Sequence, residues 1–123
     1  MNMQICNNLY VNDVEAMVAF WKKVGFVEKQ RQGSGESLNV LLEPFRDSNA
    51  LFQLFNLEFI KKMSPETADM KPSLLFRVYD ITDWHEKMIK ITETTSGIVD
   101  IGGTKTFNFA DPEGNYYAFA QHY

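Results

Sequence analysis

Leu9-Tyr10-Val11-Asn12-Asp13-Val14 lies over Phe76-Arg77-Val78-Tyr79-Asp80-Ile81. Each segment alternates two apolar residues, Leu9 and Val11 in the first, Phe76 and Val78 in the second. In each, an Asp follows two positions later. Alternation of period two marks a strand with one face turned to a core. An Asp placed just beyond it can accept from the free N–H groups that open a helix. The same strand-to-helix junction therefore occurs twice in 123 residues, and an internal repeat is an organisational signal stronger than either copy alone.

Outward from the first junction, residues 4–11 read as a strand with Leu9 and Val11 on one face and Cys6, Asn8 and Tyr10 on the other. Val14, Met17, Val18, Trp21 and Val24 then fall at helical spacing, and Gly25 stands where a left-handed cap is cheap. Phe26 to Gln32, Ser37 to Glu43 and Ala50 to Asn56 read as three strands, with Gly33-Ser34-Gly35-Glu36 as a turn. Outward from the second junction, Ser73 to Tyr79 reads as a strand, with Ser73, Leu75 and Arg77 sharing a face. Asp80 is placed to cap a helix carrying Ile81, Trp84, Met88 and Ile91. Gly97 to Ile101, Thr104 to Ala110 and Asn115 to Gln121 read as strands. The expectation is an α+β chain forming a single domain over 1–123. Within it are two βαβββ modules, one over about 4–57 and one over about 73–121. A connector spans about 58–72, with Ser64, Pro65 and Pro72 and room for a short helical turn.

Composition narrows the function. The formal charge is −4 and the Lys and Arg residues are scattered, so phosphate neutralisation and nucleic-acid binding are not expected. One cysteine, Cys6, excludes an intramolecular disulfide and a Cys-rich zinc framework. No leader-like start and no membrane-length apolar run is present, which gives a cytoplasmic protein without membrane contact as the expectation. Aromatics reach 14 %, more rings than a core of this size must absorb, and surplus rings suit a ligand site or a subunit interface.

Two motifs at the right separation carry a resemblance. Val11-Asn12-Asp13-Val14-Glu15 through Phe20-Trp21-Lys22-Lys23-Val24-Gly25-Phe26 is similar to the first-module pattern of the vicinal oxygen chelate superfamily, the glyoxalase/bleomycin resistance protein/extradiol dioxygenase group. Asp111-Pro112-Glu113-Gly114-Asn115-Tyr116, after Phe107 and Phe109, resembles its late hairpin. The resemblance covers about residues 4 to 121. It implies paired βαβββ modules around a curved-sheet cleft and, in many members, a homodimer. Some members use a divalent metal for isomerisation, ring-opening oxygenation or thiol transfer. Others bind a drug or metabolite without metal.

The resemblance also implies where metal ligands would stand: Cys6, Gln53, Ser73 and Ala118. Metal-dependent members carry His, Gln or Glu there. Ala118 has no donor, Ser73 is a weak neutral one, and Cys6 would have to be a thiolate. No metal and no cofactor are therefore expected. The inward faces instead offer Cys6, Asn8, Tyr10, Gln53, Phe55, Ser73, Leu75, Arg77, Tyr116 and Ala118, a mixture suited to an organic ligand held by rings and oriented by a few hydrogen bonds. The leading expectation is a metal-free small-molecule-binding protein with its ligand in the cleft between modules. The alternative is an enzyme of the same superfamily (lyase, isomerase or dioxygenase) with a displaced metal, for which Glu43 and Gln53 would be the first residues to change. Arg77 suits either an anionic ligand group or a salt bridge between modules. Cys6 reads as buried and inert, Trp21 and Trp84 as core, and His85 and His122 as solvated. Glu43, Asp47, Glu58, Glu66 and Asp69 read as a solvated acidic face, with an acidic cleft rim for a cationic drug as the alternative.

Overall fold

The computed structural model describes residues 3–122. The chain divides into two compact units between Pro72 and Ser73. In the first, β1 (Ile5–Val11) leads into α1 (Val14–Val24). Then follow β2 (Val27–Gln32), β3 (Asn39–Glu43) and β4 (Ala50–Asn56). The sheet order is β1-β4-β3-β2, with β1 and β4 parallel and the other neighbours antiparallel.

The local chemistry follows the residues. Asp13 has an extended backbone and its Oδ1 accepts from Ala16 N–H at 3.0 Å, which satisfies one open donor of α1. Gly25 closes the helix at φ 127°. All five stripe residues, Val14, Met17, Val18, Trp21 and Val24, are buried, as are Leu9, Val11, Val40, Leu42, Phe52 and Leu54 of the sheet, and Trp21 packs edge-on against Phe52. The strand expected from Ser37 starts instead at Asn39, because Gly35–Ser37 forms a 3-10 turn. Gly33 makes that turn possible. Its φ is 72°, and a Cβ there would lie 2.5 Å from the Ser37 carbonyl oxygen.

An exposed clamp ties α1 to β2. Arg31 donates through Nη1 and Nη2 to Glu15 at 3.1 and 3.2 Å, and through Nε and Nη2 to Glu28 at 2.8 and 2.9 Å. Lys22 stands 3.1 Å from Glu28. The hydrogen bonds from Arg31, with help from Lys22, hold the Glu28 carboxyl down at about 2 against an ordinary 4.5. A folded pKa below the unfolded one stabilises above the unfolded value, and that stabilisation disappears as pH falls through about 2. In acid denaturation, Glu28→Gln is therefore expected to be less stable than the wild type at pH 6, with the gap closing between pH 4.5 and 2. A gap that stays constant down to pH 2 would count against the clamp.

Residues 57–72 pack with the first unit. The segment contains α2 (Leu57–Met63), opened by Asn56 Oδ1 accepting from Phe59 N–H at 3.1 Å, and a 3-10 turn at Pro65–Thr67.

The second unit repeats the order: β5 (Leu75–Val78), α3 (Ile81–Ile91), β6 (Val99–Ile101), β7 (Thr104–Ala110) and β8 (Tyr116–Gln121). Its sheet runs β5-β8-β7-β6, again with the outer pair, β5 and β8, parallel. The core is a ring cluster. Phe119 lies 5.1 Å from Phe107, 5.6 Å from Phe109, 5.4 Å from Phe76 and 5.0 Å from Trp84.

Three expectations are corrected here. Asp80 occupies the helix-start position but makes no side-chain cap. Gln121 of β8 does that work: its Oε1 accepts from Ile81 N–H at 3.3 Å while its Nε2 donates to the Tyr79 carbonyl. His85 is half-buried rather than solvated, with Nε2 2.7 Å from the Ser96 carbonyl oxygen and its ring edge-on to Phe107. A carbonyl only accepts, so Nε2 carries the proton. Glu43 is buried, not part of a solvated face; its Oε2 accepts from Asp47 N–H at 3.1 Å and lies 3.7 Å from Lys29 Nζ.

Candidate functional site

The first unit's sheet has a core face and a second face, and the register sets what the second face carries. In the parallel β1–β4 pair Asn8 stands beside Gln53 and Tyr10 beside Phe55. In the β3–β4 pair Leu41 stands beside Gln53 and Asn39 beside Phe55. Because side chains alternate, Cys6, Asn8, Tyr10, Asn39, Leu41, Gln53 and Phe55 share this face. Cys6 was expected to be buried and is instead exposed, because it lies on the face turned away from the core; Asn8 is also exposed, and the other five are half-exposed.

Four of these side chains form one hydrogen-bonded cluster. Cys6 Sγ lies 3.6 Å from Gln53 Oε1 and 3.7 Å from Asn8 Oδ1. Gln53 Nε2 donates to Asn39 Oδ1 at 2.9 Å, and Asn39 Nδ2 donates to the Ser37 carbonyl at 3.4 Å. Beside the cluster, the rings of Tyr10 and Phe55 are 6.2 Å apart and inclined at 58°. Desolvation pushes the Cys6 thiol above its ordinary value, so near neutral pH it is a donor and not a thiolate. Asn39 was missed in the sequence reading. Its signal was present, since it alternates with Leu41 on the strand next to Gln53.

In the second unit Leu75 stands beside Ala118 and Arg77 beside Ala120. Asn108 flanks Ala118 from β7, and Ala110 faces Tyr116. Leu75 and Tyr116 are exposed. Arg77 Nη1 donates to the Gln121 carbonyl at 3.3 Å. Ser73 lies ahead of β5, in an exposed segment outside the strand that was expected to begin with it.

These residues do not fit a divalent cation. The Cys6 thiol is held protonated and the Gln53 amide is engaged at both its atoms. Ser73 is outside its strand, and Ala118 has no donor atom. Among the described residues no group of three or more His, Cys, Asp or Glu converges. Hard cations need carboxylate or imidazole donors, and the cluster supplies amides and a thiol.

No family model matches the chain, and no curated protein matches it in sequence. Solved structures do. A member of the glyoxalase/bleomycin resistance protein/dioxygenase superfamily from Sphaerobacter thermophilus DSM 20745 superposes with a TM-score of 0.75 at 14 % identity, over 99 % of this chain and 98 % of that one. TnmS3, an antibiotic binding protein from Streptomyces sp. CB03234, gives 0.75 at 18 % identity over 100 % and 98 %. A bleomycin-binding protein complexed with bleomycin gives 0.69 at 17 % identity over the full length of both chains. The chain has the glyoxalase/bleomycin-resistance fold. Among the described residues, no helix is long and apolar enough to cross a membrane.

Proposed function

We propose that this chain is a metal-free binding protein for a small organic ligand, acting in the cytoplasm as a homodimer. The observation that carries the reading is the exposed cluster of Cys6, Asn8, Asn39 and Gln53 beside the Tyr10–Phe55 ring pair. Rings give a planar or amphipathic ligand its contact area, and the amides orient it. The hydrogen-bonded cluster itself holds no carboxylate or imidazole and no nucleophile activated by a neighbouring base, and Glu43, two residues along β3 from Leu41, is buried against Lys29 and the Asp47 N–H, which favours binding over the enzymatic alternative. Two of the similar structures are an antibiotic binding protein and a bleomycin-binding protein, which supports an organic ligand of that kind.

Two calorimetric titrations test the reading. Mn(II), Ni(II) and Zn(II) are expected to give no saturable micromolar binding, whereas bleomycin or another ring-bearing antibiotic is expected to saturate at one site per chain. Tyr10→Ala is expected to weaken that binding roughly tenfold through lost ring contact. Tight metal binding abolished by Gln53→Ala would overturn the metal-free part. Absence of any ligand across a panel of ring-bearing antibiotics would overturn the rest.

A further inference from the structure

The hydrogen-bond cluster on the first sheet has a direction. A neutral thiol gives one hydrogen and an amide oxygen only accepts. Cys6 therefore donates toward Gln53 Oε1 at 3.6 Å and Asn8 Oδ1 at 3.7 Å. With its oxygen turned to Cys6, Gln53 must turn its Nε2 to Asn39, which receives it on Oδ1 at 2.9 Å. Asn39 in turn is left with its Nδ2 for the Ser37 carbonyl at 3.4 Å. One proton on Cys6 thus orients two amides in succession, Gln53 and Asn39, with the Asn8 oxygen as a second acceptor beside it.

The inventory that remains is unequal. The single thiol hydrogen serves the Gln53 and Asn8 oxygens between them, and the Asn39 oxygen holds one from Gln53 Nε2. Gln53 Nε2 and Asn39 Nδ2 have each spent one of two hydrogens, and Asn8 Nδ2 has spent neither on a described residue. Four amide hydrogens remain to be satisfied on a face whose oxygens are engaged. An unmet N–H costs more than a carbonyl that uses one of its two lone pairs. A ligand covering this face must therefore bring acceptors. The flanking strand adds Gln30 beside Leu41 and Gln32 beside Asn39, both neutral. Lys29, in the β2 bulge, lies 3.7 Å from the buried Glu43 carboxylate two residues along β3 from Leu41, so its charge is already matched and an anionic acceptor would lose its hydration beside an existing carboxylate.

We propose that this face selects a planar ligand bearing an edge of neutral acceptors, two or more carbonyl oxygens in the manner of an imide, and that the Cys6–Gln53–Asn39 chain sets this preference. The inference rests on the ligand-binding reading above and specifies the chemistry of its ligand. Ring contact comes from Tyr10 and Phe55, and the carbonyl edge lies over the amide hydrogens of Asn8, Gln53 and Asn39.

Three naphthalene probes differing only at the edge separate the possibilities: N-methyl-1,8-naphthalimide, 1,8-dimethylnaphthalene and the dianion 1,8-naphthalate. Affinity for the intact protein is read by calorimetry or probe fluorescence, with bleomycin titrated alongside. The imide is expected to bind roughly tenfold or more tightly than either partner, as two net hydrogen bonds imply. Gln53→Glu removes the donor at near-constant shape and is expected to erase the imide advantage. Cys6→Ser keeps a donor and is expected to preserve it. Asn8→Asp, at an exposed position, provides a second donor loss should Gln53→Glu not fold. Equal affinity for all three probes, or preference for the dianion, overturns the carbonyl preference. So does an imide advantage that survives both Gln53→Glu and Asn8→Asp. If bleomycin binds and no naphthalene does, the carbonyl inference falls while the binding reading stands. If nothing binds, both fall.

Discussion

Replacing Trp21 by alanine is expected to cost about 3–5 kcal/mol of folding stability, the range for emptying a fully buried aromatic site. Trp21 is 0 % exposed and stands at the centre of the first unit's core. Its ring lies 5.0 Å from Phe26 and 5.0 Å from Phe52, edge-on to the latter, and 5.3 Å from Phe20. Those neighbours are held by α1, by the residue before β2 and by β4, so they cannot collapse together into the space without moving three elements. A domain of this size carries about 5–15 kcal/mol in all, so the variant is expected to lie near the edge of folding. Urea denaturation followed by far-ultraviolet circular dichroism measures the loss. The second tryptophan supplies the control. Trp84 is half-buried, stacked 5.0 Å from Phe119 on one side with Lys87 Nζ 4.9 Å from its ring centre. Trp84→Ala is expected to cost less than half as much. Equal losses at the two sites would contradict the assigned packing.

Asp111→Ala is expected to be nearly as damaging, by about 3 kcal/mol, although it removes no ring. Asp111 is buried and its carboxylate organises the β7–β8 turn. Oδ1 accepts from the backbone N–H of Glu113 at 2.9 Å and of Asn115 at 3.0 Å. Oδ2 accepts from Asn115 Nδ2 at 3.1 Å and from the buried Tyr117 hydroxyl at 3.0 Å. Alanine leaves these donors without the acceptor, at about 1–3 kcal/mol for each buried group that cannot recover water. Asp111→Asn keeps one oxygen for the backbone pair but places an amino group against Asn115 Nδ2, and an intermediate loss is expected. Spectrophotometric titration at 295 nm gives an independent readout. Burial first, and the Asp111 charge second, push the Tyr117 phenol far above its ordinary value. In Asp111→Asn that phenol is expected to ionise at a lower pH than in the wild type while remaining above the exposed tyrosines. An unchanged titration would place the charge elsewhere.

Particular residues show which parts of the fold and site were legible. Leu9 and Val11, then Val14 to Val24, carry both periodicities in the letters alone, and each lies where its period placed it. β4 and β7 match their expected limits because alternating apolar residues end at a helix start or a turn. On the face away from the core, the pattern placed Cys6, Asn8, Gln53, Tyr10 and Phe55 on the strands that bring them side by side. Asn39 joins them only through the pairing of β3 with β4, which brings its Oδ1 to Gln53 Nε2. Ser73 falls outside β5, which begins at Leu75, because a polar residue ahead of an alternating run does not mark where the strand pairing starts.

Asp13 and Asp80 mark the boundary between the two kinds of knowledge. By sequence they are equivalent, an Asp two positions after an alternating pair. The repeat, the two helices, the paired sheets and the polar character of one face all follow from such local patterns, because propensity, alternation and capping act within a few residues. Whether Asp80 caps its helix was decided by Gln121, brought to Ile81 by the pairing of β5 with β8. Glu43 was buried by Lys29 and the Asp47 turn, and His85 was tied down by Ser96. The direction of the Cys6–Gln53–Asn39 chain likewise exists only once β1, β4 and β3 lie side by side. A hydrogen bond needs a partner within a few ångströms, the longer contacts being those of sulfur, and for residues far apart in the chain only the folded backbone supplies one.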